Sequence, residues 1–501
     1  MEHASVWLAT SERPTYPALG GDVEVDVAVV GGGITGLTTA LLAQRDGARV
    51  AVVEARRVGE GTTGHTTGKL TSQHTLIYAE LINRYGADKA RQYADANQAA
   101  VRRVVDLIDE LELVCQLHRA PAIAYTTDPD QRAGIEAEVD AARQLGLPAS
   151  LVGTADLPFT IEAGVRFEDQ AHLHIGRYCA GLAAHIAAGG GLVFEGTRVT
   201  DVDERGDQVV LSTGSGTVTA GQVVVATLLP FGTLGGYYAR AKPTRSYGLA
   251  ARLNGRAPTA MTISIDSPTR STRLWPDVGP NGLIVVGQSH PTGEPDNTLE
   301  FHAGLEDWTR STFDVDGVDY RWSAQDYRSA DQVPYIGRSP LKERTFVATG
   351  FNKWGLSNGV AAAMILTDLI AGRDNPWLPV FDATRIGDAA AVKEHARINL
   401  DVGRHFVGDR LARLRADDVA HLGPGQGGVV TVDGKTVGAY RDPAGRLRAV
   451  DVTCTHLGCS LRWNSAETSW DCPCHGSRFD ADGDVLTGPA VSGLDQVPVD
   501  E

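Results

Sequence analysis

Two short loops near the carboxyl end of the 501-residue chain constrain its fold most, because each carries both a cysteine and a histidine. The loop CTHLGC contains Cys454 and His456, and the loop CPCHGS contains Cys472 and His475. Two thiolates and two imidazoles are a typical ligand set for a metal, and one structural zinc ion would accept all four in a tetrahedron. The sequence therefore predicts a metal site here.

The distribution of these ligands favours an iron–sulfur cluster over zinc. Zinc fingers usually keep paired cysteines together and paired histidines together, whereas each loop here supplies one of each. In a Rieske [2Fe–2S] cluster, two cysteines bind one iron and two histidines bind the other. Residues 425–501 closely resemble the Rieske proteins of respiratory cytochrome bc complexes, whose loops read C-T-H-L-G-C and C-P-C-H-G-S. The resemblance implies that the four residues named above hold the cluster and that Cys459 and Cys474 form a disulfide.

The same segment predicts the direction of the cluster's reduction potential. Hydrogen bonds to the cluster and to the ligand sulfurs stabilise the added electron and so raise the potential. Ser477 matches the hydroxyl donor of the family, but Phe479 stands where respiratory proteins often carry a tyrosine. One donor is missing, and we expect a potential below that of the respiratory proteins.

A second cofactor site is predicted near the amino end, within Val23–Glu54. Hydrophobic periodicity predicts two parallel strands and a helix between them, at residues 23–30, 49–53 and 34–44. Three glycines have the G-x-G-x-x-G spacing of a dinucleotide-binding turn: Gly31, Gly33 and Gly36. Glu54 can accept hydrogen bonds from an adenosine ribose and would repel a 2′-phosphate. FAD or NAD therefore fits better than NADP; the alternative is a glycine-rich turn in another α/β fold.

Five segments together resemble the D-amino-acid oxidase family of FAD-dependent oxidoreductases, over about residues 20–380. They are Asp26–Glu54, Gly59–His74, Gly196–Glu204, Gly221–Thr227 and Thr345–Gly372. The resemblance implies FAD rather than NAD, because the last segment would return to the first sheet and start a helix aimed at the flavin. It also implies that FAD is bound by Gly31, Gly33, Gly36, Glu54, Arg56, Gly64, His65, Thr66, Val199, Gly350, Asn352, Gly355 and Leu356.

The loop at residues 59–74 raises a separate hypothesis about how FAD is held. In family members similar to dimethylglycine dehydrogenase, a G-x-T-x-H-x-x-G run carries a histidine bonded covalently to the flavin ring, and here the run reads GTTGHTTG. His65 is either covalently flavinylated or a hydrogen-bonding histidine in a loop that binds FAD noncovalently.

The oxidoreductase part is predicted to span residues 1–385. Its FAD-binding elements, at about 22–75, 146–229 and 335–375, are interrupted by about 76–145 and 230–334, which carry helical and strand-like patterns. These insertions should form the substrate domain, and the sequence assigns no catalytic residue. The predicted fold class is an α/β Rossmann-type FAD-binding domain with an interleaved α+β substrate domain, followed by an all-β Rieske domain.

A linker helix is predicted between the two parts, at residues 386–424. Its apolar residues Val402, Phe406, Leu411 and Leu414 lie on roughly one side. Beyond it, short strand patterns alternate with turn signals at Asp433-Gly434 and Pro443-Ala444-Gly445, which is typical of a small β domain.

Composition limits the partners of the protein. The 62 Asp and Glu residues exceed the 46 Lys and Arg residues, and the net charge of −16 argues against nucleic acid or anionic lipid as a partner. No apolar run approaches the roughly 20 residues of a membrane helix, and the amino terminus lacks the layout of a signal peptide. We expect a cytoplasmic protein without a transmembrane segment that acts on a small molecule.

The two predicted cofactors together indicate a dehydrogenase. Flavin takes two electrons from a C–H bond next to nitrogen or oxygen, whereas a Rieske cluster accepts one at a time. We expect a small amine or amino-acid-like substrate and an external one-electron acceptor. The alternatives are a redox relay or sensor, and a reductase- or oxygenase-type electron-transfer protein. An oxygenase needs a mononuclear iron site, for which Asp169, His172 and His174 are only loosely suggestive.

Overall fold

The structure is a computed structural model that describes residues 1–295, 297–412, 417–432 and 435–499, with residues 407–412 and 417–418 described by their backbone. The elements before residue 146 are β1 (Glu2–His3), α1 (Val6–Ala9), β2 (Val23–Val30), α2 (Ile34–Arg45), β3 (Val50–Val53), β4 (Lys69–Leu70), α3 (Ile77–Tyr85), α4 (Ala87–Glu110), β5 (His118–Arg119), β6 (Ala122–Thr126) and α5 (Arg132–Gln144).

The elements between residues 146 and 385 are β7 (Ala149–Val152), β8 (Ala163–Phe167), β9 (Ala171–His172), α6 (Ile175–Ala188), β10 (Leu192–Phe194), β11 (Val199–Arg205), β12 (Gln208–Thr213), β13 (Gly216–Val225), β14 (Ala241–Leu253), β15 (Met261–Ser264), β16 (Arg270–Leu274), β17 (Gly282–Pro291), α7 (Leu299–Thr312), β18 (Val315–Ser329), β19 (Tyr335–Arg338), β20 (Thr345–Thr349), α8 (Gly355–Ile370) and α9 (Leu378–Phe381). The remaining elements are α10 (Ala389–Ala412), β21 (Asp417–Asp418), β22 (Gly427–Val432), β23 (Lys435–Arg441), β24 (Leu447–Val450), β25 (Arg462–Asn464), β26 (Ser469–Asp471), β27 (Arg478–Asp480) and β28 (Val485–Thr487).

The first sheet has eight strands and is parallel at its centre. Its order is β10-β3-β2-β13-β12-β11, and β13 also pairs with β20, which pairs with β19. Val27 and Val29 of β2 pack in one core with α2 and α8, while Ala28 and Val30 pack in a second core. Burial on both faces explains why the second half of β2, residues 27–30, is continuously apolar.

The second sheet has nine strands in the order β1-β18-β14-β17-β16-β15-β6-β8-β7. Most of its pairs are antiparallel, and β14 and β18 are its longest members. β7 and β8 lie within residues 146–229, where the sequence predicts FAD-binding elements, but they pair in the second sheet. β8 pairs antiparallel with both β6 and β7, so this stretch adds two strands at one edge of the second sheet before the chain returns to the first.

The carboxyl end forms two four-stranded sheets, β21-β22-β23-β24 and β25-β26-β27-β28. The Pro443–Gly445 turn signal joins β23 to β24, whereas Asp433-Gly434 lies outside the described residues. Helix α10 precedes these sheets, and its residues Val402 and Phe406 pack against their core. The other two apolar residues predicted for this helix face, Leu411 and Leu414, have side chains outside the described part.

The two parts of the chain are joined by buried charges. Arg245 of β14, only 1% exposed, lies 3.4 Å from the Glu467 carboxylate, which also lies 3.8 Å from Arg478. Burial alone would raise the pKa of Glu467, but the two guanidinium groups outweigh it and lower that pKa. Neighbouring Ala466 packs in a core otherwise formed by the second sheet and α7. The small β domain is therefore docked against the second sheet.

Candidate functional site

The glycines between β2 and α2 are required by close approach of the backbone. Gly31 has a φ of +110°, and a Cβ there would lie 2.6 Å from the Ala226 carbonyl oxygen. A Cβ on Gly36 would lie 2.0 Å from the Gly31 oxygen, and one on Gly33 would lie 2.9 Å from the Thr63 hydroxyl. Side chains at these positions would displace the turn or the first turn of α2.

Glu54, which directly follows β3, forms a hydrogen bond to the backbone of the same turn. Its carboxylate accepts hydrogen bonds from the Gly32 N–H at 2.7 Å and from the Arg56 N–H at 2.9 Å. Burial nevertheless raises the pKa of Glu54. A carboxylate has about four acceptor positions, so Glu54 retains capacity for the hydroxyl groups of a ribose.

A cavity of 1210 Å³ lies beside this turn. Ten of the thirteen residues predicted to bind FAD line it: Gly31, Gly33, Glu54, Arg56, His65, Thr66, Val199, Asn352, Gly355 and Leu356. The other three, Gly36, Gly64 and Gly350, are not among its lining residues. Gly36 and Gly64 pack against backbone, since a Cβ on Gly64 would lie 2.2 Å from the Gly59 oxygen, and Gly350 has a φ of +74°. They shape the turns behind the cavity wall.

The cavity fits a dinucleotide. Its volume exceeds the roughly 300–1,000 Å³ of a typical small-molecule site, which leaves space for a dinucleotide and a substrate together. The N-terminus of α2 borders it at Gly33 and Ile34, and a helix N-terminus favours a phosphate group. The glycine turn and the Glu54 carboxylate would hold the two ends of an adenosine diphosphate moiety.

His65 lines the cavity with its ring orientation fixed. Its Nδ1 lies 2.9 Å from the Gly61 carbonyl oxygen, and its own carbonyl accepts a hydrogen bond from the Trp322 indole. Because a carbonyl only accepts, Nδ1 donates, and the lone pair is on Nε2. Burial lowers the pKa of His65, which favours the neutral imidazole.

The covalent hypothesis for His65 has a direct test. If the neutral ring is joined to FAD, acid precipitation of freshly purified protein will leave the yellow colour in the pellet, and His65→Asn will release all of it to the supernatant. The control is Thr66→Ala, because Thr66 also lines the cavity but offers no ring nitrogen. Colour found wholly in the wild-type supernatant contradicts covalent attachment and leaves the hydrogen-bonding alternative.

The cavity lining also contains polar groups that the sequence did not single out. Lys353 and Asp326 line it together with Ser246 of β14 and Ser289 of β17. Burial raises the pKa of Asp326 to about 6 and lowers that of Lys353 to about 7. The sequence signal was the lysine inside the FNKWG turn, next to predicted FAD contacts.

The small β domain also forms part of the cavity wall. Its contribution comes from the end of β28 and the following segment: Leu486, Thr487, Gly488, Ala490 and Val491. Arg198, another lining residue, donates a hydrogen bond to the Val485 carbonyl at 2.8 Å. The predicted dinucleotide site and the predicted metal domain are therefore in direct contact.

The four predicted metal ligands meet as two pairs of like chemistry. The Cys454 and Cys472 thiols share a hydrogen bond, which lowers the pKa of Cys454 to about 7 and raises that of Cys472 well above its usual value. The His456 and His475 rings lie 5.1 Å apart and perpendicular. Thiols together and imidazoles together suit a cluster with two cysteines on one iron and two histidines on the other.

A disulfide joins the two loops behind the ligands. It links Cys459 and Cys474, the pair implied by the resemblance. The Cys472 sulfur lies within 4.8 Å of both disulfide sulfurs, but bonded sulfurs are not thiolate ligands, so these three cysteines do not form a metal site.

The histidine end of the loops faces the flavin part of the chain. His456 Nε2 donates to the Gly232 carbonyl at 3.0 Å, and its Nδ1 is buried without a partner among the described residues, as a metal-binding nitrogen would be. The Tyr238 ring contacts both imidazoles, with centroids 5.1 Å and 5.0 Å away. The Tyr327 hydroxyl donates to the His475 carbonyl at 2.8 Å. The residues before Gly232 include Phe231, which lines the cavity.

Ser477 and Phe479 lie where the predicted potential requires them. The Ser477 hydroxyl accepts from the Ala490 N–H at 3.0 Å and contacts the Cys454 thiol. Phe479 is fully buried in the same core as Cys454 and Cys472, and its ring offers no hydrogen-bond donor.

Phe479→Tyr is expected to raise the cluster potential by about 20–65 mV, the equivalent of one hydrogen bond of about 0.5–1.5 kcal/mol for a one-electron couple. A redox titration followed by the cluster's EPR signal measures this. Phe479→Leu, which adds no donor, is the control and should shift the potential less. A wild-type potential equal to or above that of respiratory Rieske proteins would contradict the prediction.

The residues considered for an oxygenase iron do not meet as a site. His172 Nδ1 lies 2.7 Å from the Arg273 guanidinium, and His174 Nε2 lies 2.9 Å from the Thr10 hydroxyl. Within the described ranges, these two histidines and Asp169 do not group as possible metal ligands.

Two family models match the chain. The model described as FAD dependent oxidoreductase (DAO) matches residues 26–369, and the model described as Rieske [2Fe-2S] domain matches residues 412–498. Both resemblances indicated by the sequence are thereby confirmed.

Known proteins match the whole chain or its flavin part. The putative Rieske 2Fe-2S iron-sulfur protein YhfW of Bacillus subtilis (strain 168) is 35% identical over 498 residues, covering 99% of this chain and 97% of that protein. Gamma-glutamylputrescine oxidoreductase of Escherichia coli (strain K12) is 24% identical, over 74% of this chain and 90% of that protein. The solved glycine oxidase of Geobacillus kaustophilus has a TM-score of 0.62 at 19% identity, over 72% of this chain and 99% of that chain. The predicted fold class is confirmed.

In the described part of the chain, no helix has both the length and the apolar character that crossing a membrane requires.

Proposed function

Because the chain belongs to the FAD-dependent oxidoreductase family and carries a Rieske [2Fe-2S] domain, we propose that it is a dehydrogenase for a small amine or amino-acid-like substrate. Its electrons would leave singly through the Rieske domain to an external acceptor. The protein binds FAD and a [2Fe–2S] cluster as its two cofactors. Bound flavin accepts electrons in pairs and the cluster accepts them one at a time.

Two separate sets of residues in the chain would hold the two cofactors. We propose that the β2–α2 glycine turn and Glu54 hold FAD, and that Cys454, His456, Cys472 and His475 hold the cluster. The cavity walls, closed partly by the small β domain, would exclude water from the reacting substrate. The division into residues 1–385, 386–424 and 425–501 is part of this proposal, with β7 and β8 moved to the substrate domain.

The observation that carries the proposal is the contact between the cluster loops and the cavity wall. His456 donates to the Gly232 carbonyl, Tyr238 contacts both ligand histidines, and neighbouring Phe231 lines the cavity. A cluster held there would be an intramolecular outlet for electrons from the cavity, at the high effective concentration that covalent linkage provides. This arrangement favours a dehydrogenase over an oxidase.

The substrate class is proposed from the relatives and from the cavity. One relative is named for gamma-glutamylputrescine and one solved neighbour for glycine, both of which contain a C–H bond next to nitrogen. The cavity offers polar groups beyond the residues assigned to FAD, including Ser246, Ser289 and Lys353.

Anaerobic bleaching of the flavin tests the proposal. The purified protein should be screened with secondary and tertiary amines, amino acids and imino acids, with flavin absorbance and the cluster's EPR signal recorded together. A substrate should bleach the flavin and then reduce the cluster. Failure of the whole panel, with an external reductant still reducing both cofactors, would favour a redox relay or sensor instead.

A further inference from the structure

Lys69, in β4, is a buried cavity-lining amine that the proposed function does not yet use. Its Nζ lies 2.6 Å from two acceptors, the Thr262 carbonyl of β15 and the Ser271 hydroxyl of β16. Among the described residues it forms no ion pair with a carboxylate. An ammonium has three N–H donors, whereas a neutral amine has two donors and a lone pair. Two acceptors therefore satisfy the neutral form and leave its lone pair free.

The charges around Lys69 also favour the neutral amine. The Arg273 guanidinium of β16 faces it, and His172 of β9 lies opposite it in the strand register. His118 of β5 stacks on the His172 ring at 5.3 Å. Burial lowers the pKa of Lys69 well below its usual value, and Arg273 lowers it further. Of the titratable groups that face Lys69 in the described ranges, none is an acid.

The other two lysines of the cavity lining each have a carboxylate nearby. Lys242 lies 3.2 Å from Glu294, so its charge is paired. Burial lowers the pKa of Lys353 to about 7, and the neighbouring Asp326 carboxylate opposes that shift. Lys69 differs from both, because its charged neighbour is a cation.

The backbone places Lys69 close to the predicted flavin contacts. His65 and Thr66 line the cavity shortly before it in the chain. Gly68, with a φ of +73°, adopts a conformation that side chains disfavour and turns the chain into β4. Ser271 lines the cavity as well, so the amine held by its hydroxyl lies at the cavity wall.

We propose that Lys69 is the general base of the amine oxidation and takes a proton from the ammonium nitrogen of the substrate. Most alkyl amines are protonated near pH 7, and an ammonium nitrogen has no lone pair to support the loss of hydride from the neighbouring carbon. A base must therefore act first. This inference rests on the proposed function and adds the residue that prepares its substrate.

The proton transfer balances without a further reactant. The Nζ lone pair of Lys69 binds the proton, and the electrons of the broken N–H bond stay on the substrate nitrogen as its lone pair. The two electrons of the C–H bond then go to the flavin as hydride. Lys69 returns to the neutral amine by giving its proton to water as the product leaves.

Binding of tert-butylamine tests the inference without turnover, because its carbon next to nitrogen carries no hydrogen. Perturbation of the flavin absorbance measures its affinity. In wild type the affinity should stay within about twofold between about pH 7 and 9, above the lowered pKa of Lys69 and below that of the ammonium, since the proton only moves from one amine to the other. In Lys69→Met the affinity should rise about tenfold per pH unit, because the variant must bind the small neutral fraction of the amine.

Three further variants separate the base from a structural role. Lys69→Arg should behave like Lys69→Met, because a guanidinium cannot accept the proton. Lys69→Gln keeps two N–H donors without a basic nitrogen, and should show the same rise if Lys69→Met fails to fold. Lys242→Met, which removes a paired lysine of the same lining, should keep the wild-type profile.

Flavin content and cluster EPR confirm that each variant has folded. The inference is overturned if the wild-type affinity itself rises about tenfold per pH unit, or if wild type binds no tert-butylamine. An affinity that stays independent of pH in whichever Lys69 variant folds overturns it as well.

Reduction of the flavin separates this inference from the proposed function. With an amine that bleaches the flavin, Lys69→Gln should lower the rate at low substrate concentration about 100-fold near pH 7 and about 10-fold near pH 8. Equal rates in wild type and Lys69→Gln near pH 7 would keep the dehydrogenase and overturn the role of Lys69. If nothing bleaches the flavin, the dehydrogenase proposal fails and the binding of tert-butylamine alone decides the role of Lys69.

Discussion

Cys454→Ala is expected to remove the cluster and to lower turnover with one-electron acceptors by at least about 100-fold, the advantage that a linked electron outlet can provide. Anaerobic reduction of the flavin by substrate should stay within about twofold of wild type. The reason is that, among the described residues, the two large cores that include β2 contain none from the Rieske domain. The flavin part therefore keeps its packing when a ligand of the cluster is lost.

Stopped-flow absorbance measures reduction of the flavin by substrate, and EPR measures whether the cluster is present. Steady-state assays measure turnover with one-electron acceptors. Cys115→Ala is the matched control, because Cys115 is also a buried free cysteine but lies among the flavin-part core residues. It should keep the cluster and its turnover. In air, wild-type protein should produce little hydrogen peroxide, and Cys454→Ala should produce more per substrate oxidised. A cluster-free variant that no longer bleaches, or wild type that converts every substrate molecule to peroxide, would show that the cluster is not the outlet.

The local motifs could be predicted from the sequence because their chemistry depends on neighbouring residues. β2 has the bounds Val23–Val30 that its apolar run predicts, and α2 begins at Ile34 as expected. The resemblance to the D-amino-acid oxidase family also implied the return of Thr345–Thr349 to the first sheet, where β20 pairs with β13. The paired cysteines and histidines were also recognisable, because they lie close together within two short loops of the sequence.

The assembly of these motifs could not be predicted, because it depends on contacts between distant segments. β8 alternates apolar residues with Gly164 and Arg166 as a strand of either sheet could, so periodicity identifies a strand without assigning its sheet. Lys353 was visible in a predicted FAD-binding segment, but its partners Ser246 and Ser289 lie 107 and 64 residues away in sequence. The contact of His456 with Gly232 spans 224 residues.

The contact between the domains changes what the two motifs imply together. Either motif alone predicts one cofactor, and a linker helix between them is compatible with two independent modules. In the structure, Glu467 pairs with buried Arg245, and Gly476 approaches so closely that a Cβ would lie 2.6 Å from the Tyr327 hydroxyl. The ligand loops are therefore fixed against the wall of the cavity, and under the proposed function an external acceptor would approach the Rieske domain from another side.

Gly36→Ala is expected to yield protein that binds FAD at least about 100-fold more weakly, the scale of loss that a displacement of about 1 Å can cause. The new Cβ would lie 2.0 Å from the Gly31 carbonyl oxygen, and the backbone of the turn is the group that must move. That movement shifts Gly31 and Gly33, the two glycines of the turn that line the cavity. Absorbance of bound flavin and isothermal titration with FAD measure the effect.

Two comparisons separate this local effect from unfolding of the chain. Gly214→Ala is the matched control, because a Cβ there meets nothing within 4 Å and Gly214 lies in the turn between β12 and β13; its FAD affinity should equal that of wild type. The cluster's EPR signal should persist in Gly36→Ala, since the ligands Cys454 and Cys472 belong to a separate core that includes Trp470 and Phe479. Full FAD affinity in Gly36→Ala would contradict the proposal that the β2–α2 turn binds the dinucleotide.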